Sequence, residues 1–185
     1  MSANRPSGIL LRAEQLNRLH ADLDLAVRNR DKDLERWHRA AEAFKIALTE
    51  FYAPFERASD SLRDSDDELE TAVQFLEADP WCHRSGYMKA KLLQRVAKWP
   101  ARSRYQARLE DVVMLRLSKP EPGLFRPAAR LASDLWNERL QGRVDELRRT
   151  GTSTQRTAAR RLLSRVDELQ RASLPCSRLR PEGPH

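Results

Sequence analysis

The stretch from Leu16 to Phe55 reads LNRLHADLDLAVRNRDKDLERWHRAAEAFKIALTEFYAPF, and it decides the fold. Its apolar residues recur at alternating steps of four and three, which is the spacing of a heptad seam on an α-helix. The members of this seam are Leu16, His20, Leu23, Val27, Arg30, Leu34, Trp37, Ala41, Phe44, Leu48, Phe51 and Phe55. Such a seam predicts a helix whose apolar stripe a partner helix must cover, with Trp37 and Phe44 as its large anchors. The two polar members, His20 and Arg30, would restrict register.

The composition of this stretch favours one long helix, because no Gly or Pro lies between Gly8 and Pro54 and strong helix formers fill most positions. We predict a helix from about residue 11 to 53 that ends near Pro54, since proline lacks a backbone donor. The alternative is two consecutive helices broken near residues 29–33, where weak helix formers cluster and Asp31 can cap a new start. Both interpretations are all-α.

The overall composition agrees with an all-α fold. The chain has 185 residues, of which 40% are hydrophobic, 33% charged and 6% aromatic, and it contains only 6 glycines. This length suits one domain with an ordinary core. Scarce glycine and abundant charge indicate helices with charged outer faces rather than a many-turned β fold.

Two features bear on the compartment. Cys82 and Cys176 are far apart in sequence and no secretory segment is evident, so we read both as free thiols in a reducing compartment. The apolar run from Ile9 to Leu11 is too short for a signal peptide, and no stretch approaches the roughly 20 apolar residues of a membrane span. We therefore expect a cytoplasmic protein with no membrane partner.

The positive charge lies in the C-terminal half. Residues 1–100 carry 16 Lys and Arg against 17 Asp and Glu, whereas residues 101–185 carry 18 against 10. A field of this asymmetry can attract nucleic acid or an acidic protein surface. The alternative is that arginine simply solvates the outer faces of helices.

The order of elements can be read from turn signals. We predict a disordered tail over residues 1–10, an N-terminal helical hairpin over 11–80, further short antiparallel helices of the same domain over 81–172, and a disordered tail over 173–185. Within the hairpin a helix at 66–78, capped by Ser65 or Asp66, follows a connection or frayed extension at 55–66. Later helices should start near residues 86, 102, 124, 138 and 153.

The segment Asp79–Tyr87 places a cysteine beside a histidine, which invites a metal or thiol-catalysis hypothesis. Zinc needs four well-spaced ligands, or three and a water, and no CxxC, HxxxH or second Cys-His cluster accompanies Cys82 and His83. We therefore predict a structural turn in which Trp81 and Tyr87 pack into the groove between helices and Ser85 caps the next helix.

One internal repeat is clear. RLQGRVDELRR at 139–149 and RLLSRVDELQR at 161–171 are offset by 22 residues and identical at eight of eleven positions. Thr150, Gly151 and Thr152 separate the copies, and Ser153 or Thr154 can cap the second. Each copy should therefore form its own helix.

Residues 69–169 resemble a degenerate HEAT-like α-helical repeat array, because short amphipathic helices recur with roughly 36 to 38 residues per pair. The resemblance is clearest in YMKAKLLQRV at 87–96 and FRPAARLA at 125–132. It implies a scaffold that binds protein or nucleic acid, and it carries over no site residues. The long N-terminal helix departs from a repeat array, so a compact helical bundle is the alternative fold.

No sequence motif supports an enzyme, since there is no nucleophile elbow, phosphate-cradling Gly loop or metal-binding helix motif. We expect no cofactor and no metal. The leading interpretation is a non-catalytic interaction module, an adaptor, scaffold or regulatory subunit. A 40-residue helix over 16–55 would overhang a compact body, leaving Leu16, Leu23 and Val27 as a candidate partner-binding seam, most simply for a homodimer.

The alternative function is binding to the nucleic-acid backbone. Arg156, Arg160, Arg161 and Arg165 form a basic stripe on the last predicted helix, opposite its apolar residues. No aromatic residue there would stack on bases, so only backbone binding is expected.

Overall fold

The structure is a computed structural model that describes residues 6–60 and 65–173. Over these residues the chain forms α-helices and one short 3-10 helix, and no strand, which confirms the all-α prediction. The elements are α1 (Pro6–Arg28), α2 (Leu34–Asp60), α3 (Asp66–Ala78), α4 (Ser85–Ala97), the 3-10 helix (Pro100–Tyr105), α5 (Gln106–Ser118), α6 (Pro122–Leu135), α7 (Glu138–Thr150) and α8 (Ser153–Ser173).

The prediction of one long helix over residues 11–53 is wrong, and the alternative of two consecutive helices is right. The helix is interrupted between α1 and α2. Asn29 donates its side-chain amide to the carbonyl of Leu25, and Asp33, not Asp31, accepts the backbone N–H of Arg36 at 2.9 Å. Asp33 thereby satisfies one of the free donors at the start of α2. α1 then folds back along α2, where the His20 and Phe44 rings lie 5.1 Å apart.

Both boundaries of this hairpin differ from the predictions. α1 starts at Pro6, so residues 6–10 of the predicted tail are helical, and Ile9 is fully buried. α2 continues through Pro54 to Asp60, because Phe55 and Ala58 beyond the proline are fully buried. Burial of a side chain the size of Phe contributes about 1.5–3 kcal/mol, which offsets most of the roughly 3 kcal/mol cost of an interior proline. The tail predicted at 173–185 lies outside the described residues, apart from Ser173.

The large apolar members of the seam are covered mainly by other helices of the same chain. Leu16, Phe44, Phe51 and Phe55 are buried in one core with the residues of α3 and α4. Trp37 is only half-buried, and its ring carries the guanidinium of Arg30 at 4.5 Å, so it is not the anchor that the sequence indicated. An overhanging arm is therefore absent from the described residues. The dimer was predicted in order to cover that arm, so this argument for a dimer no longer holds.

The helices pack in two rows. α1, α3, α5 and α7 contact one another in order along one row, and α2, α4, α6 and α8 do so along the other. The core runs between the rows and includes Trp99, Phe75, Leu109, Leu131 and Leu140 among its fully buried side chains. Both copies of the internal repeat turn the same positions inward, since Leu140 and Val144 of α7 and Leu162 and Val166 of α8 are all buried.

Helix ends set the orientation of the C-terminal elements. Asn137 accepts the N–H of Leu140 at 2.9 Å and caps α7. α8 is capped by Thr152, not by Ser153 or Thr154: Thr152 Oγ1 accepts from Gln155 N, and Gln155 Oε1 accepts from Thr152 N at 2.9 Å. This reciprocal capping box leaves the hydroxyls of Ser153 and Thr154 out of the helix-capping contacts.

Candidate binding surface

An open cavity of about 690 Å³ lies between α5, α6 and α8. It falls within the roughly 300–1,000 Å³ typical of ligand pockets. The C-terminal turns of α5, the N-terminal turns of α6 and the N-terminal half of α8 enclose it. Its apolar lining consists of Val113, Leu117, Pro120, Leu124, Phe125, Ala128, Ala158 and Leu162, and its other lining residues are Arg116, Glu121, Gly123, Arg126, Ser153, Thr154, Thr157 and Arg161.

The cavity has a positive rim. The N-terminal ends of α6 and α8 both lie at it, and neither helix has an acidic residue in its first turn. The free N–H groups of a helix start favour an anion, by about 0.3–1 kcal/mol at an exposed site. Arg126 and Arg161 add two exposed guanidinium groups, and neither pairs with a carboxylate of residues 6–60 or 65–173.

The predicted basic stripe is only partly brought to this cavity. Arg161 lines it, with its guanidinium 5.2 Å from the centre of the Phe125 ring. Arg156 and Arg160 are not among the lining residues. Arg156 donates to the carbonyl of Gly151 and Arg160 to the hydroxyl of Thr157, and neither has a carboxylate partner in the described part of the chain. Arg165 forms an ion pair with Glu168 at 2.7 Å.

Arg126 was missed by the sequence analysis, although a signal existed. It sits in the second turn of α6, whose first turn holds no carboxylate, while Glu121 directly before the helix is engaged by Arg116. Only the folded chain brings Arg126 and Arg161 to one cavity, because they are separated by α7 and come from different helices of one row.

A buried ion cluster supports the cavity wall from inside. The ammonium of Lys89 lies 2.6 Å from Oδ1 of Asp79 and 3.6 Å from Oε1 of Glu121. The guanidinium of Arg116 contacts the same two carboxylates at 2.6 and 3.0 Å. Because Arg116 and Glu121 also line the cavity, this cluster fixes one wall to α3 and α4.

The charge state of the cluster follows from its contacts. Burial opposes ionisation of Asp79, but the ammonium of Lys89 and the guanidinium of Arg116 outweigh it and hold the pKa of Asp79 below its ordinary value. The Arg116–Asp79 contact is short but not aligned as a hydrogen bond, and Nε of Arg116 finds no acceptor among the described residues. Two buried cations therefore face two carboxylates, and the exposed ammonium of Lys119 lies 3.7 Å from Oδ2 of Asp79 as a third cation.

The predicted partner-binding seam does not form a surface. Leu16 is buried, Leu23 is half-buried against the core and Val27 is exposed near the end of α1. The three residues therefore differ in exposure instead of forming one apolar stripe. Leu16 in particular packs inside the chain and is not accessible to a partner.

The turn at residues 79–87 also differs from its prediction. Trp81 is 77% exposed and Tyr87 is 62% exposed, so neither fills a groove between helices. Ser85 is the first residue of α4 rather than its cap, and its hydroxyl accepts the N–H of Cys82. The chain enters α4 through Arg84, which has a left-handed backbone with φ of 64°.

Cys82 and His83 lie beside Tyr52 in the structure. The phenol of Tyr52 donates to the carbonyl of His83 at 2.5 Å and lies 3.4 Å from Sγ of Cys82. Burial raises the pKa of the Cys82 thiol, so the thiol is protonated and a poor nucleophile at neutral pH. In the described parts of the chain, no group of three His, Cys, Asp or Glu side chains is arranged to hold a metal ion.

The fold and cavity define an all-α protein with an apolar-floored, arginine-rimmed pocket. Comparisons with known protein families, with curated proteins and with solved structures found no match. None of the helices formed by residues 6–60 and 65–173 has the length and apolar character needed to cross a membrane.

Proposed function

We propose that this chain is a cytoplasmic, non-catalytic helical module that binds a partner protein, as an adaptor, scaffold or regulatory subunit. The observation that carries the proposal is the open cavity between α5, α6 and α8, with its apolar lining and two rim arginines that pair with no carboxylate of the described residues. An apolar recess rimmed by polar residues marks an interaction site. The HEAT-like resemblance, and the scaffold role that it implies, stay predictions from the sequence.

A pair of glycines allows a direct test. Gly123 lines the cavity and Gly142 lies on α7 outside it, and a Cβ added at either position meets no atom within 4 Å. Gly123→Trp therefore places an indole at the cavity, while Gly142→Trp is a matched control. Affinity capture from the native host with quantitative mass spectrometry should show partners that are kept by the wild type and by Gly142→Trp and lost by Gly123→Trp. If no captured protein depends on residue 123, the proposed function is wrong.

Binding to the nucleic-acid backbone is the second candidate, because Arg156, Arg160 and Arg161 have no carboxylate partner among the described residues. Each phosphate contact adds about 0.9 to the slope of log affinity against log salt. The double variant Arg156→Glu/Arg160→Glu should then weaken binding to duplex DNA and reduce this slope by about two. A wild type that fails to bind duplex DNA at low salt excludes this candidate.

A further inference from the structure

We propose that the cavity between α5, α6 and α8 receives an acidic segment of the partner protein, with a bulky aliphatic or aromatic side chain inserted and carboxylates on the rim. This inference rests on the proposed function and specifies its partner. Three features of the cavity support it: its apolar lining, the rim arginines without a carboxylate partner among the described residues, and the contact between Phe125 and Arg161.

The lining calls for an apolar side chain. Val113, Leu117, Leu124 and Leu162 form an almost completely buried floor. The apolar surface open to the cavity belongs mainly to Phe125, which is half-buried, and to Pro120, which is exposed. Water in such a recess has few polar partners, so its replacement by an apolar side chain is favourable. The cavity volume of about 690 Å³ accommodates a large side chain together with part of its backbone.

The rim calls for negative charge. Among the described residues, Glu121 is the only carboxylate of the lining, and it is engaged by Arg116 and Lys89 from inside the protein. Arg116 is likewise matched by Asp79 and Glu121, so its charge is already used. Arg126 and Arg161 pair with no carboxylate of residues 6–60 or 65–173, and Arg126 lies in the second turn of α6. Carboxylates of a partner would complement all of these positive groups.

The aromatic ring distinguishes a peptide from a nucleic acid. Phe125 is the one aromatic side chain among the described lining residues, and the guanidinium of Arg161 lies over its ring at 5.2 Å. Stacking of a base on that face would have to displace this cation–π contact. A phosphate backbone would satisfy the rim but leave the apolar lining exposed to water, whereas an acidic peptide with an apolar anchor satisfies both.

Synthetic peptides test the proposal on the full chain. The probe is a short fluorescein-labelled peptide of Glu residues with Leu-Phe at its centre, titrated by fluorescence anisotropy. A second peptide has Ser-Ser at the centre, and a third has Lys in place of Glu. We expect the first peptide to bind at least about tenfold more tightly than either of the others, since it alone satisfies both the lining and the rim.

Variants then locate the site. Gly123→Trp should abolish binding of the Glu/Leu-Phe peptide, and Arg126→Glu/Arg161→Glu should weaken it by at least about tenfold. Gly142→Trp and Arg36→Glu serve as controls for bulk and for charge, because Gly142 and Arg36 are exposed and lie outside the cavity. Circular dichroism melting of every variant verifies that the helices are retained. Because Arg126 and Arg161 are exposed, their double variant remains informative even if Gly123→Trp does not fold.

Several results would overturn the inference: equal binding of the Ser-Ser peptide, equal binding of the Lys peptide, an equal loss in the control variants, or duplex DNA that competes in a manner sensitive to Gly123→Trp. Failure here is separable from failure of the proposed function. One outcome separates the two: host partners are captured in a manner that depends on residue 123, but the acidic peptide does not bind. That result would contradict the acidic segment and still support the interaction module.

Discussion

The ammonium of Lys89 lies 2.6 Å from the carboxylate of Asp79, although the Lys89 side chain is only 2% exposed. A buried cation without its partner is costly, because water no longer solvates it. Asp79→Ala leaves both Lys89 and Arg116 with Glu121 alone, and should lower the free energy of unfolding by about 3–5 kcal/mol. Equilibrium urea unfolding measures this loss.

The exposed pair Asp60–Lys91 is a matched control, since its atoms are 2.7 Å apart but the Asp60 side chain is 63% exposed. Asp60→Ala should cost less than about 1 kcal/mol, as expected for a surface ion pair. Asp79→Asn distinguishes the loss of the charge from a change in backbone strain. Asn carries no charge but also tolerates the left-handed conformation that Asp79 adopts, with φ of 48°. If Asp79→Asn is as stable as the wild type, the ionic explanation fails.

Acid should destabilise the protein through specific carboxylates. The hydrogen bonds from Arg108 hold the pKa of Glu70 below its ordinary value of 4.5, and the pKa of Asp79 lies below its ordinary value of 3.8 despite burial. The folded state therefore binds fewer protons than the unfolded state as pH falls through this range. This stability is fully present above the ordinary values and is lost as pH falls through the lower folded ones.

Urea unfolding as a function of pH checks the sign of this effect. Arg108→Gln should flatten the acid limb, because Glu70 then regains a more ordinary pKa. Stability that rises on acidification below about pH 4.5 would contradict this assignment.

The start of α2 depends on one side chain. Asp33→Ala removes the acceptor for the N–H of Arg36 and should lower the free energy of unfolding by about 1 kcal/mol. Asp31→Ala is the matched control: Asp31 is exposed in the same connection and makes no capping contact in the described structure, so thermal melting should be almost unchanged. A greater loss for Asp31→Ala would mean that the cap is misassigned.

Two glycines should respond in opposite directions to the same substitution. Gly142 lies inside α7 with open space around an added Cβ, so Gly142→Ala should stabilise the protein by about 0.5–1 kcal/mol. At Gly151, which ends α7, an added Cβ would lie 2.5 Å from the carbonyl oxygen of Leu147, so Gly151→Ala should destabilise it. If both substitutions shift the melting temperature in the same direction, the space around the added Cβ at these two positions does not explain their stability.

Two tryptophans provide a further contrast. Trp99 is fully buried, and Trp99→Ala should cost about 3–5 kcal/mol of stability. Trp81→Ala should leave the melting temperature almost unchanged, because Trp81 is 77% exposed. A large loss at Trp81 would show that this ring is covered in solution.

The periodicity of the N-terminal stretch identified buried Leu16 and Phe44, but it also included exposed Val27 and Leu34. The break was predicted only as the alternative, from the weak helix formers at residues 29–33. Leu16 and Phe44 share one heptad register, and the same register arises when two helices fold onto each other as when one helix meets a partner. The decision lay with Asn29 and Asp33, whose side chains bond locally to the backbone. Such side-chain hydrogen bonds to the backbone compete with continuation of the helix, and the two alternatives differ little in free energy. The tertiary contact between α1 and α2 favours the interrupted helix.

At Pro54 the sequence predicted a helix end that the structure does not have. The prediction followed from the missing backbone donor of proline, but Phe55 and Ala58 just beyond it are fully buried, and their packing continues the helix. Shorter elements with clear punctuation, such as the α3 start at Asp66 and the two copies of the repeat, were predicted from sequence within a residue or two.

The cavity could not have been predicted from sequence. It depends on the packing of α5 and α6 against α8, and its volume is a property of how three helices meet. Arg161 was visible as a basic residue, but its place over Phe125 was not, since residues 125 and 161 are joined only by the fold. Trp81 was misread because an apolar ring in a turn signals burial only when a groove is available to receive it.

The cluster around Asp79 also has a consequence for cooperativity. Its four members lie directly after α3, on α4, on α5 and directly before α6. Loss of either carboxylate would leave a buried cation without its counterion, which is costly. We therefore expect these elements to unfold as one unit, together with the part of the cavity wall that Arg116 and Glu121 form.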